Sequence, residues 1–154
     1  MKDFALHTEL WLPRRRDEVF PFFAEAGNLE IITPPWLHFE VLTPAPIEMR
    51  PGALIDYRIR VHGIPIRWRT EIAEWQPPHR FVDVQLRGPY TLWRHAHTFE
   101  ERDGGTICGD HVRYRPRGGA LIHWLFVRRD VDRIFEYRQR RLKELFDATA
   151  FRLR

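Results

Sequence analysis

The chain of 154 residues holds one cysteine, Cys108, so no disulfide can close within it and stability must come from packing. Lysine is nearly missing as well, with Lys2 and Lys143 standing against 23 arginines. Apolar runs are short: the longest, 120–122 and then 124–127, is broken by His123, far below the ~20 residues of a membrane-spanning helix. With 9 glycines and 12 prolines the composition is neither low-complexity nor collagen-like. The opening Met-Lys-Asp-Phe lacks the charged-then-apolar order of a signal peptide, and with a lone cysteine a cytoplasmic location is expected. What the chain does have is aromatic bulk. Eleven Phe, six Trp and four Tyr, within a composition that is 44% hydrophobic, exclude disorder and point to one folded domain over 1–154.

The formal net charge is +4, with arginines grouped at 14–16, at 128–129 and at 138, 140 and 141. Guanidinium forks suit carboxylates and phosphates. Asp and Glu are interleaved along most of the chain and no nucleic-acid motif is present, so no nucleic-acid partner is expected.

Alternation of Phe4, Leu6, Thr8, Leu10 and Leu12 with Ala5, His7, Glu9 and Trp11 predicts a first strand ended by Pro13. Asp17 is the expected cap of a short helix over 18–25, and Asn28 of a second short turn through Ile32. A strand over about 38–43 follows. Five more are expected at about 53–62, 65–75, 80–87, 91–102 and 105–115, which makes seven. After Gly118-Gly119 one long helix is predicted to about Ala148, with Leu121, Leu125, Val131, Phe135, Leu142 and Phe146 on one stripe. This order describes an α+β fold: a strongly curved antiparallel seven-stranded sheet, two short helices, and a long C-terminal helix gripped by the sheet. Such a wrapped sheet leaves a space suited to a ligand.

Partners across a hairpin have position numbers of constant sum, which says which side chains share the concave face. A turn at Gly63-Ile64 pairs Val61 with Ile66, Ile59 with Trp68, Tyr57 with Thr70 and Ile55 with Ile72. A turn at Pro77-Pro78 pairs Glu74 with Phe81, Ile72 with Asp83 and Thr70 with Gln85. A three-residue loop Gly88-Pro89-Tyr90 sets Asp83 opposite His95. The Asp103-Gly104 turn pairs Phe99 with Cys108, His97 with Asp110, His95 with Val112 and Trp93 with Tyr114. The expected inner face carries Tyr57, Ile59, Trp68, Thr70, Asp83, Gln85, Trp93, His95, His97, Asp110 and Tyr114, with Leu125 of the helix completing the ligand-binding set. The outer face, with Ala73, Trp75, Val82, Val84, Leu86, Leu92 and Ala96, is a candidate homodimer contact.

With those residues in place, the segment Phe81-x-Asp83-x-Gln85-x-x-Gly88-Pro89-Tyr90-x-x-Trp93-x-His95-x-His97-x-Phe99 and the segment from Gly105-Thr106 through Asp110, Val112 and Tyr114 to Gly118 resemble the SRPBCC superfamily. That helix-grip group includes START lipid-transfer domains, polyketide cyclases and pollen-allergen proteins. The resemblance covers the whole chain and is similar in detail to a bacterial ligand-binding branch, some members of which are fused to an NAD-dependent epimerase-like domain absent here. It implies the fold and a cavity for a hydrophobic ligand, without a settled activity.

Three chemistries remain open for the polar cluster. His95, His97 and Asp110 could ligate zinc or iron. Asp110 or Asp83 could fix a histidine tautomer for acid–base catalysis on a bound carbonyl compound, as a cyclase or dehydratase requires. Alternatively the cluster is a satisfied network that orients a ligand's polar end, with Gln85, Tyr57 and Tyr114 as neutral partners and Ile59, Trp68 and Trp93 around the apolar body. The third reading is preferred: a small hydrophobic or aromatic ligand, no cofactor, no bound metal and no stable membrane insertion. Cys108 is read as a core residue. Leu121, Ile122, Trp124 and Phe126 exceed the needs of one stripe; core packing is preferred for them over a place at the pocket mouth or on a membrane.

Overall fold

The structure, a computed structural model, describes residues 2–147. Seven antiparallel strands, β1 (Phe4–Leu12), β2 (Glu40–Val41), β3 (Leu54–Val61), β4 (Ile64–Gln76), β5 (Arg80–Arg87), β6 (Tyr90–Arg102) and β7 (Gly105–Pro116), form one sheet in the order β1-β7-β6-β5-β4-β3-β2. Helices α1 (Arg16–Ala24) and α2 (Leu29–Ile32) lie between β1 and β2 in sequence. The chain ends in α3 (Gly119–Ile122), a wide π turn (His123–Val127) and α4 (Arg128–Phe146). Residue 148, the expected helix end, lies outside the described residues.

Most registers follow from the turns. Asp103 and Gly104 have φ of 52° and 75°, the pair of positive values that a type I′ turn requires, and β6 and β7 pair as expected: His97 opposite Asp110, His95 opposite Val112, Trp93 opposite Tyr114. The β5–β6 pairing sets Asp83 opposite His95, as the three-residue loop demands. The β3–β4 turn is instead His62-Gly63, with φ of 49° and 80°. Ile59 therefore faces Ile66, Tyr57 faces Trp68 and Ile55 faces Thr70, two residues away from the expected partners. A slip of two preserves side-chain parity, so the same residues stay inside.

Between β4 and β5, Ile72 faces Asp83 and Thr70 faces Gln85 as expected, but a bulge between Ile72 and Glu74 puts Phe81 opposite Trp75 rather than Glu74. The extra residue turns Trp75 inward onto Phe20 and Phe81, at 5.5 Å and 5.4 Å between ring centroids. The outer apolar patch is correspondingly broken: Glu74, opposite Val82, ties Arg80 and Arg94, and of the seven residues only Leu86 is a large exposed apolar side chain. The caps differ as well. Asp17 lies in the first turn of α1 and pairs with Arg15, while Glu18 closes the helix start by accepting the Arg15 N–H at 3.1 Å. The Asn28 amide donates back to the Phe22 carbonyl at 2.9 Å instead of capping α2.

The π turn explains the largest departure from the expected helix stripe. One extra residue in the turn shifts the helical phase, so that His123 is buried and Leu121 and Leu125 face solvent, while Val131, Phe135, Leu142 and Phe146 remain inside. The Tyr114 hydroxyl and His123 Nε2, 2.8 Å apart, hold the turn against β7, and Phe4 of β1 stacks on the imidazole. Apolar packing gathers in three groups: Leu10, Leu12, Val19, Phe20, Phe23 and Phe99 with the end of α4; Ile55, Tyr57 and Ile72; and Trp93, Val112 and Tyr114 with Val131 and Phe135. The space they enclose is the cavity.

Candidate functional site

A cavity of about 640 Å³ lies between the concave sheet and α4. Ile55, Tyr57, Ile59, Trp68, Phe81 and Trp93 supply much of its apolar sheet wall, with α2 and the first half of α4 opposite. The mouth is framed by the His62-Gly63 turn, Pro89 and Tyr90, Pro116 and Arg117, and Val127. Two contacts tie α4 to elements across the cavity. His62 Nε2 lies 2.8 Å from Asp130 Oδ2, joining the β3–β4 turn to α4, and Arg133 lies over the Trp36 ring at 5.0 Å.

The polar end of the cavity is built by strand alternation: His95 and His97, two apart on β6, point the same way, Asp83 on β5 faces His95, and Asp110 on β7 faces His97. The side chains then cross these backbone pairings. His95 Nε2 lies 2.7 Å from Asp110 Oδ1, and His97 Nε2 lies 2.6 Å from Asp83 Oδ2. The expected His97–Asp110 couple is at 3.7 Å, beyond a hydrogen bond. The reason is a residue the sequence reading passed over, Arg138, buried in α4. Its Nε donates to Asp110 Oδ2 at 3.1 Å and its Nη2 to Asp110 Oδ1 at 3.0 Å, a bidentate clamp that pulls the carboxylate toward the helix. A signal was present: Arg138 stands between Phe135 and Leu142 at the step where the buried stripe needs an inward residue.

These contacts fix the histidine tautomers. A guanidinium only donates, so Arg138 Nη2, 3.3 Å from His97 Nδ1, makes that nitrogen an acceptor and leaves the ring proton on Nε2, donated to Asp83. Burial, with the neighbouring His95 and Arg138 outweighing Asp83, lowers the His97 pKa to about 4, so the ring is neutral at pH 7. Burial pushes the Asp110 carboxyl up, but the Arg138 charge and the His95 hydrogen bond more than reverse this and hold it far below the usual range. Asp83 behaves likewise: burial raises it, and the His97 hydrogen bond together with His95, His97 and Arg138 brings it below its ordinary value. In His95, Nε2 turns to the Asp110 carboxylate, and Nδ1 has no hydrogen-bond partner among the described residues. That free nitrogen lies on the side of the cavity-lining Asp83, 3.9 Å from Oδ2.

Of the expected ligand-binding residues, Tyr57, Ile59, Trp68, Thr70, Asp83, Trp93, His95 and His97 line the cavity. Four do not. Gln85 is used up stapling the β5–β6 turn, its amide donating to the Tyr90 carbonyl at 2.8 Å and accepting from the Tyr90 N–H. Asp110 lies behind His95 and Arg138, Tyr114 is engaged with His123, and Leu125 is turned to solvent by the π turn. Asp83, His95 and His97 offer ligand atoms within 4.8 Å of one another, the set to which a metal would go. Asp110, proposed from sequence as the third ligand, has both oxygens committed to Arg138, and the fixed guanidinium charge beside His97 opposes a cation there. Cys108 is buried next to Phe99, and burial raises its thiol to about 12, which removes it as a nucleophile.

The family model for polyketide cyclase/dehydrase and lipid transport matches residues 12–143. The chain belongs to that family. Among solved structures, this chain is similar to Ara h 8.0201, with 13% identity over 94% of this chain and 98% of that one, and a TM-score of 0.70. It also resembles StfQ, the di-domain ARO/CYC of the steffimycin biosynthetic pathway, with 15% identity over 96% of this chain and 52% of that one, TM-score 0.74. A third similar structure is the nucleoside-diphosphate sugar epimerase from Corynebacterium glutamicum, with 25% identity over 90% of this chain but 28% of that one, TM-score 0.62. No curated protein is similar enough in sequence to count as a relative. The helix-grip fold of the family is thus present over nearly the whole chain.

Proposed function

We propose that the protein encloses a small amphipathic molecule, apolar body in the cavity and hydrogen-bond-donating end on His95 and Asp83, without changing it. The observation that carries this reading is the contrast between the apolar walls and His95 Nδ1, which has no hydrogen-bond partner among the described residues and lies beside the Asp83 carboxylate. The fixed charges of the cluster, Asp83, Asp110 and Arg138, sum to one negative charge. A hydroxyl or phenol can donate to such an end, whereas a carboxylate is repelled by the Asp83 carboxylate, the Arg138 charge being held mainly by Asp110 through Nε and Nη2. Calorimetric titration with naphthol and naphthoate, matched in shape, tests this. Naphthol is expected to bind at least ~10-fold more tightly, a preference His95→Leu removes. Equal binding, or preference for naphthoate, would overturn it.

One feature favours a catalytic variant of the same site. A histidine backed by a buried carboxylate, with its other nitrogen open to a cavity, is the arrangement of a general base. A cyclase or dehydratase built on it would lose ~100-fold or more in turnover with His95→Gln, whereas a binder has no turnover to lose.

A further inference from the structure

Leu121, Trp124, Leu125 and Phe126 around the π turn, Ile64 beside the β3–β4 turn and Leu86 beside the β5–β6 turn are each 54–69% exposed. All belong to the segments that frame the cavity mouth, whose lining includes His62, Gly63, Pro89, Arg117 and Val127. A regular helix would have carried Leu121 and Leu125 toward the core; the π turn buries His123 in their place. The charge beside this apolar ring is mainly positive, with Arg58, Arg69, Arg94, Arg113 and Arg115 paired to Glu40, Asp56, Glu74 and Asp3. No Asp or Glu occurs in 57–70, in 84–99 or in 111–129, while these stretches hold Arg58, Arg60, Arg67, Arg69, Arg87, Arg94, Arg113, Arg115, Arg117, Arg128 and Arg129. Arg67, Arg87 and Arg117 line one shallow groove with Leu86, and Arg128 stacks on Trp124 at 4.8 Å.

We infer that this end of the molecule docks on an anionic bilayer surface, with the aromatic and leucine side chains in the headgroup layer and the arginines on lipid phosphates. A mixed cationic and aromatic face is what such an interface takes up. A second copy of this chain fits less well, because a two-fold contact would set the same arginines against one another. Of the nearest carboxylates on α4, Asp130 is engaged with His62 and Asp132 lies 4.0 Å from Arg128, which leaves Arg60, Arg67, Arg87, Arg117 and Arg129 without a salt bridge among the described residues. Docked this way, the mouth opens toward the acyl region, where an apolar molecule could enter without crossing water.

Sedimentation with vesicles of phosphatidylcholine containing one-third phosphatidylglycerol, against phosphatidylcholine alone, tests the assignment. Binding is expected on the anionic vesicles, ~10-fold or more weaker on the neutral ones, and falling as salt is raised. Trp124→Ser with Leu125→Ser should reduce it by at least ~10-fold without changing the melting temperature, since both side chains are exposed. Arg117→Gln with Arg128→Gln and Arg129→Gln should flatten the salt dependence. Ile59→Trp, which fills the cavity, should dock like the wild type, so docking and ligand binding fail separately. Absence of sedimentation with either vesicle would overturn the inference. So would a stable dimer in solution that Leu125→Ser dissociates, which would give this face to a second copy.

Discussion

Replacement of Arg138 by leucine should cost about 3–5 kcal/mol of stability in urea unfolding, one of the largest losses available to a single substitution here. The side chain is 7% exposed and satisfies both oxygens of Asp110, itself 6% exposed, so its removal strands a buried carboxylate with His95 as its one partner. Surface arginines should behave differently. Arg102 pairs with Glu100 in solvent, and its loss should leave the unfolding midpoint nearly unchanged. The double replacement Arg138→Leu with Asp110→Leu should recover part of the loss, because a buried pair can be exchanged for apolar packing more cheaply than it can be broken. Recovery stays incomplete, since His95 Nε2 then lacks its acceptor, a cost of about 1–3 kcal/mol. If the single variant melted like the wild type, Asp110 would not be held as an ion by Arg138.

Acid should act on the same cluster in two stages. The folded protein holds His97 neutral, with a pKa of about 4, whereas an unfolded histidine titrates at about 6.5. Between these values the unfolded chain binds the extra proton, so stability falls as pH falls, by about 3 kcal/mol once pH 4 is reached. Above pH 6.5 His97 contributes no slope. Asp110 and Asp83, depressed in the folded state, contribute stability present above the ordinary carboxylate range and lost below it. His123, lowered by burial and by Arg128, adds slope of the same sign. Thermal melts from pH 7.5 to 4.5 should therefore show a decline that sets in near pH 6.5 and that His97→Gln makes shallower. A flat profile over that range would mean that His97 takes up its proton in the folded state.

The fold was legible because its signals are local. Alternation over Phe4 to Leu12, the Asp103-Gly104 turn and the Gly88-Pro89-Tyr90 loop are each decided by a few neighbouring residues, and together they placed Asp83, His95 and His97 on one face. The misreadings came where one extra residue entered an otherwise regular element. The bulge near Ala73 brought Trp75 inside, and the π turn at His123 put Leu125 outside. Period-two and period-3.6 arithmetic has no term for such insertions. At the cluster, backbone register correctly set His97 opposite Asp110, but side-chain pairing was decided by a guanidinium arriving from α4, far away in sequence. The hairpins carry no information about that helix, and only the arginine's place in the buried stripe hinted at it.

That the cavity holds an intact small molecule by its polar end is tested most directly by native mass spectrometry of the protein as purified, beside Ile59→Trp. The wild type is expected to carry one organic molecule per chain, released unchanged on denaturation, and the cavity-filled variant to carry none. Identical adducts on both proteins, or one metal ion per wild-type chain in place of an organic molecule, would contradict the account.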